Sequence, residues 1–368
     1  WKYKTSGPIH GSPVADKKRI YIGSTDHQLY ALNIQSGKPE WQFETGGIIL
    51  STPVISGKTI FCTSFDGNLY AINKVNGKLS WKFESPADTL KDIWDYHNCS
   101  PVVHDNKVFY GNGQGTFYAI NKDTGEKIWD FQTKGIIHST PVIYKDNICF
   151  GNYEGKFYAL NLENGEKKWK FNTIGQRWFP KGAVQQGASV SGNTLYFGSR
   201  DFNIYALNAE TGNGMWNMYE QGSWVIATPT VKDTMLLFGT SDSHHFYAMD
   251  ARNGRMIWKK KINLNVFGPC EAGDKLAYFG SLNGKLYAVK LKNGETAWEF
   301  QTSESKSLWN EVFDENDKLS KEFFEKNGNN GFKIYTAIHQ MGSIVSKPLL
   351  KDRVLYFSSL NGKIDDIE

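Results

Sequence analysis

The chain has 368 residues, 40% hydrophobic and 22% charged, and its 42 Lys and Arg against 38 Asp and Glu leave a formal net charge of +4. That length and balance suit a globular protein with a sizeable core and exclude a disordered chain or a small disulfide scaffold. Charges of both signs are interspersed along the chain, so nothing in it calls for nucleic acid or an anionic membrane as partner.

No run approaches the roughly 18 uncharged apolar residues of a spanning helix, so no transmembrane segment is expected. The opening Trp1-Lys2-Tyr3-Lys4 holds neither a methionine nor a signal-peptide core, and a mature or trimmed form is expected. The chain combines 36 Gly with 12 Trp, 18 Tyr and 23 Phe. Glycine interrupts regular elements while aromatic side chains favour half-buried pleated surfaces, so the pairing predicts many short strands joined by tight turns.

In chain order, the first element is a strand over residues 1–5. A unit then repeats eight times. Its first column, Pro13, Pro53, Pro101, Pro141, Ala188, Pro229, Cys270 and Pro348, leads after ten residues to Gly23, Thr63, Gly111, Gly151, Gly198, Gly239, Gly280 and Ser358. Seven units continue with a Tyr-Ala pair, at Tyr30, Tyr70, Tyr118, Tyr158, Tyr205, Tyr247 and Tyr287. Seven residues after each tyrosine begins Gly-x-x-x-Trp, which places Trp41, Trp81, Trp129, Trp169, Trp216, Trp258 and Trp298. Each unit reads as four strands, such as Ser12-Pro13-Val14, Arg19 to Gly23, Gln28 to Leu32 and Glu40 to Phe43, separated by Asp, Gly, Asn and Ser turns. Four-stranded units at a period near 40 build a propeller. The expected fold is therefore all-β: a single domain over residues 1–368, an eight-bladed β-propeller of four-stranded antiparallel blades. The eighth unit stops before its fourth strand, and the N-terminal strand is expected to complete that blade and close the ring. At Ile364-Asp365-Asp366-Ile367 the Leu-Tyr-Ala-Ile pattern breaks, so that edge is expected to be frayed or cut short.

The unit from Tyr158-Ala159-Leu160-Asn161 through Gly165 to Trp169 resembles the tryptophan-docking repeat of the pyrroloquinoline-quinone-like (PQQ-like) β-propellers, over nearly the whole chain. The resemblance implies that Trp1, Trp41, Trp81, Trp129, Trp169, Trp216, Trp258 and Trp298 dock blade against blade. It also implies one of two functions. Quinoprotein dehydrogenases of this family carry the quinone on the propeller axis, against a tryptophan and a disulfide between adjacent cysteines, with a calcium ion. Non-catalytic relatives, the BamB-like branch, belong to the bacterial cell envelope.

Comparing the units with one another locates the departures from the pattern. From each tryptophan to the next first-column residue the gap is 12 or 13, except for 19 after Trp169, 20 after Trp81 and 50 after Trp298. Every substantial insertion thus joins the fourth strand of one blade to the first strand of the next, and in antiparallel blades those connections share a face with the second-to-third turns. Loops on a rigid scaffold are where binding resides, so this face is the candidate functional surface. Its loops hold the run Lys91-Asp92-Ile93-Trp94-Asp95-Tyr96-His97, Arg177 and Trp178, and Trp224, with Tyr153 and Arg200 from short turns and His138 before Pro141. Trp, Tyr and Arg dominate interface energetics, and these lie off the repeat pattern. They equally suit plugging of the axial tunnel. The longest insert, 303–345 between blades seven and eight, has apolar residues at 308, 312, 319 and 323 and is expected to form one or two short amphipathic helices ended by Asn327-Gly328, a lid or a structural cap.

Four cysteines, Cys62, Cys99, Cys149 and Cys270, show no CxxC spacing and are not adjacent, and they read as small buried hydrophobes. His10, His97, His138 and His339 show no metal-ligand spacing, so no metal is expected. The favoured function is a non-catalytic protein- or peptide-binding scaffold, monomeric and without cofactor, in the periplasm or cell envelope or secreted. The alternative is a PQQ- and calcium-dependent dehydrogenase or a small-ligand sensor.

Overall fold

The computed structural model describes residues 1–88 and 92–367. Among them are eight four-stranded antiparallel sheets arranged as the blades of a propeller. Blade one runs outward from the axis as Val14–Ala15, Arg19–Gly23, Gln28–Asn33 and Pro39–Glu44. Tyr21 faces Ala31 and Ala31 faces Trp41 in its register. The middle two strands are covered on both faces by neighbouring blades, which is why Ile20-Tyr21-Ile22 and Leu29-Tyr30-Ala31-Leu32 read as nearly continuous apolar runs. The outer strand has one free face and alternates, Trp41 and Phe43 turned inward between exposed Glu40, Gln42 and Glu44.

The repeat tryptophan acts between blades. Trp81 Nε1 donates to the carbonyl of Lys122 in the next blade at 3.1 Å, and its ring covers Gly125 so closely that a Cβ there would lie 2.8 Å away. Gly125 has φ +77°, which a side chain would also strain. The same bond runs from Trp1 to Ile34, Trp41 to Lys74, Trp129 to Leu162, Trp169 to Ala209, Trp216 to Ala251 and Trp258 to Leu291. Trp298 instead packs with Leu286, Leu355 and Phe357 beside blade eight. Gly-x-x-x-Trp is therefore half of two contacts: its glycine receives the preceding blade and its tryptophan reaches the following one.

The ring closes through Lys2–Lys4, which pairs with Lys363–Ile367 in the register Lys2 to Asp365, Tyr3 to Ile364 and Lys4 to Lys363. The edge expected to fray is a strand paired on both sides, because Ile364 fills the buried apolar position and Lys2 Nζ meets Asp365 at 3.3 Å. Near the axis, residues preceding the first column form a belt of inter-blade bonds. The amides of Ser12, Thr52, Ser100 and Gly187 donate to the hydroxyls of Thr52, Ser100, Thr140 and Thr228, and Lys347 N donates to Ser12 Oγ.

Between blades seven and eight lie three helices, α1 (Ser303–Val312), α2 (Lys321–Lys326) and α3 (Gly331–His339). Thr302, Ser320 and Asn330 cap their N-termini with side-chain oxygens. Gly328 at φ +64° ends α2, but the chain then forms a third helix where none was expected. Val312, Phe323, Ile334 and Ile338 of the insert pack on Leu264, Phe267 and Leu282 of the propeller.

Candidate functional site

The long connections run to the axis and fill it. The loop ahead of blade three brings in Trp94, whose ring lies 4.1 Å from Tyr335 of α3, 5.9 Å from Trp224 and 6.1 Å from Phe267, all near perpendicular. Tyr96 lies tilted against Phe267 at 5.4 Å, and Phe179 meets Trp224 edge-on at 5.0 Å. Such edge-to-face aromatic pairs favour one packing over many.

Beneath this plug runs a buried polar chain. His138 sits between two carboxylates, Nε2 at 3.1 Å from Asp88 and Nδ1 at 3.2 Å from Asp95, and the Tyr153 hydroxyl also donates to Asp95. Burial alone would lower the imidazole pKa, but hydrogen bonds and charge from Asp88 and Asp95 outweigh it and push it up to about 9. The two carboxylates therefore favour the protonated form of His138. Gln185 Nε2 donates to the carbonyl of Trp94 at 3.0 Å and to Tyr153, and Gln185 Oε1 accepts from Arg200 Nε at 2.6 Å. The Arg200 guanidinium grips both oxygens of Asp92 at 2.6 and 3.0 Å and lies 4.7 Å over the Trp224 ring.

Three further imidazoles are held neutral. His10 Nδ1 bonds the Tyr96 carbonyl at 2.8 Å and His339 Nε2 bonds the Tyr96 hydroxyl at 2.9 Å. Burial pushes His10 down to about 3, and His97 and His339 to about 4. Among the described residues, no group of three or more His, Cys, Asp or Glu side chains is arranged to hold a metal ion. All four cysteines are buried and unpaired, and burial pushes Cys99, Cys149 and Cys270 up to about 12 and Cys62 higher, which leaves them unreactive.

The structure thus brings seven of the nine expected residues together, namely Trp94, Tyr96, His97, His138, Tyr153, Arg200 and Trp224, and gives most of their surface to internal packing. Arg177 and Trp178 stay outside, the guanidinium 5.0 Å over the indole and Trp178 69% exposed. Beside them opens a cleft of about 570 Å³, floored by Tyr153 and Arg200 and walled by Gln114, Lys134, Phe179 and Lys181. Lys91, which opens the run ending at His97, lies outside the described residues. Sequence reasoning missed Asp88 and Gln185 and did not single out Asp92 or Asp95. Acidic residues close to an aromatic insert were the available signal, but nothing local told that they would be buried.

A quinone on the axis at this face does not fit these residues. The space enclosed by Trp94, Tyr96, His97, Gln185, Gln186 and Ile226 is about 10 Å³, no more than one water fills.

Comparison with known proteins places this geometry in a family. A family profile described as "Outer membrane protein assembly factor BamB" matches residues 1–180, 88–217 and 172–317. A quinohemoprotein alcohol dehydrogenase, ADH-IIG of Pseudomonas putida, is 35% identical over 89 residues, 21% of this chain and only 12% of that enzyme's length. Among solved structures, BamB from Moraxella catarrhalis superimposes with a TM-score of 0.73 at 14% identity, over 100% of this chain and 98% of that one. The computationally designed protein Ika8 gives 0.75 at 12% identity over 99% and 96%. Quinohemoprotein alcohol dehydrogenase from Comamonas testosteroni gives 0.74 at 11% identity over 100% and 75%. These structural likenesses are likenesses of fold.

Proposed function

We propose a function from one premise: the chain belongs to the family of the outer membrane protein assembly factor BamB. On that premise it is a non-catalytic scaffold of the bacterial cell envelope that holds a protein or peptide partner on its insert-bearing face. One observation carries the reading. At the end of the axis where the inserts gather, the chain's own Trp94, Tyr96 and Phe267 occupy the centre, while an indole is left 69% exposed at Trp178 beside an open cleft. Exposed tryptophan and arginine are the side chains that anchor protein interfaces, and their cost to solubility is repaid when a partner covers them. Of the seven residues gathered at the axis, Tyr153 and Arg200 line the cleft and the others serve it by holding the loops that present it.

The experiment is site-specific photocrosslinking in the native host, with the reactive group at position 178 and, as control, at position 82 on an outer strand. A discrete adduct from 178 and none from 82, lost on adding Arg177→Ala, supports the reading. Because Trp178 is exposed, its replacement should move the melting temperature by less than about 1 °C, an effect of under roughly 0.5 kcal/mol. Equal labelling at both positions would refute the assignment of this face.

A further inference from the structure

The opposite end of the axis is open. A funnel of about 650 Å³ lies beyond the plug, lined in every blade by the first-column residue or its immediate neighbours. That size is ordinary for a small-molecule site. Its walls are mostly apolar, with rings from Pro13, Pro53, Pro101, Pro229, Pro269 and Pro348.

The repeats serve as their own alignment. Immediately before the first column stand Ser12, Thr52, Ser100, Thr140, Gly187, Thr228 and Pro269, and then Lys347; immediately after it stand Val14, Val54, Val102, Val142, Ser189, Thr230 and Leu349, but Glu271 in blade seven. Each column is uncharged in seven blades and charged in one. The two departures are neighbours: Lys347 Nζ lies 2.6 Å from Glu271 Oε2, with the side chains 43% and 25% exposed in the funnel.

A structural role for the pair is specific enough to weigh. Pro269 offers no amide and Lys347 no hydroxyl, so the belt of inter-blade bonds is missing at this junction and the ion pair spans it. A partly exposed pair is a weak clamp, however, and the two other junctions that lack a belt hydroxyl, at Gly187 and Pro269, carry no charged pair in these columns. What a charged pair adds to an apolar funnel is recognition of the complementary pair.

We propose that the funnel is a second binding site, separate from the insert-bearing face, and that it takes a small zwitterion of the amino-acid class. The ligand's ammonium lies against Glu271, its carboxylate against Lys347, and its apolar body against the proline rings. The site requires neither a protein partner nor the cleft at Trp178.

The test uses L-phenylalanine and L-leucine as probes, followed by saturation-transfer NMR and calorimetry on the whole chain. Saturable binding to the unmodified protein is expected, weakened at least roughly tenfold by blocking either end of the probe, as the methyl ester or the N-acetyl derivative. Glu271→Val and Lys347→Thr install what other blades carry in those columns and should each abolish binding while the protein still melts cooperatively. Trp178→Ala should leave it unchanged, which separates this proposal from the one above. No saturation with either probe up to about 10 mM would overturn the proposal. So would binding that survives both variants, which would move the ligand elsewhere. A double variant with a sharply lowered melting temperature, together with no probe binding to the unmodified protein, would assign the pair to ring closure alone.

Discussion

His138 shows how a single side chain couples this propeller to pH. Its imidazole is bound more tightly to a proton in the folded chain than in the unfolded one, because burial is outweighed by Asp88 and Asp95. Its contribution to stability is therefore complete below pH 6.5, the unfolded value, and is lost as pH rises through about 9. His10, His97 and His339 act in the opposite sense. Burial depresses them to about 3, 4 and 4, so the stability they contribute is complete above pH 6.5 and is lost as pH falls toward those values. The melting temperature should accordingly be highest near pH 6.5, falling toward pH 9 as the contribution of His138 is lost and falling toward pH 4 as the three neutral imidazoles resist protonation. His138→Gln, which leaves the two carboxylates without their cation, should cost about 3 kcal/mol at pH 7 and much less at pH 10. Denaturant titrations at the two pH values measure the difference; equal losses would mean that the proton on His138 contributes nothing. None of this was legible in the residues themselves. His138 could be placed on the insert-bearing face from its register, but its partners come from a loop some 50 positions away, and whether Trp94 or Trp224 faces inward or outward depends on how their two loops lie.

At the scale of the element, legibility follows periodicity. The four strands of each blade could be read because strand alternation and fixed offsets recur, and the tight turn before each tryptophan could be read because glycine stands there seven times. What spacing within one unit could not say is that Trp81 covers the glycine of the next unit, Gly125, and not its own Gly77. That distinction is measurable. Gly125→Ala meets both a left-handed backbone and the Trp81 ring, whereas Gly192→Ala, at φ +57°, meets open space. The first should destabilise by at least about 1 kcal/mol more than the second, which carries only the conformational penalty of roughly 1 kcal/mol. Equal effects would show that the indole yields freely. The insert was less readable. Its first two helices follow apolar spacing and caps, but Phe332-Lys333-Ile334-Tyr335-Thr336 is aromatic and β-branched, a composition that favours strand. It folds as α3 because Asn330 caps it and Ile334 and Ile338 find an apolar bed on the propeller.

For the whole molecule, the decisive feature is the short N-terminal strand in the last blade. Removing residues 1–6 would strip Trp1 from Gly37 and Ile34 and expose the outer edge of Lys363–Ile367. The truncated chain should lose roughly 3 kcal/mol or more, the usual effect of deleting a packed aromatic. It should also self-associate with concentration in light scattering, since an unpaired strand edge templates pairing. An unchanged, monomeric protein would mean that blade eight stands on three strands. The two functional proposals share this dependence unequally: Lys347 borders blade eight, whereas Trp178 belongs to a loop on the far side of the ring.

That strand also sets a clock. Thr5 bonds Gly362 across 357 positions of sequence, so this strand has no partner until nearly all the rest of the propeller has been made. The other blades can pair locally as they emerge, each at the modest entropy of a short loop, while this one closure carries the longest loop in the chain. Ring closure is thus expected to be the slow and final event of folding. Until it happens, a nearly complete propeller waits with both ends open, and that interval is when such a protein is most exposed to proteases and to its own copies.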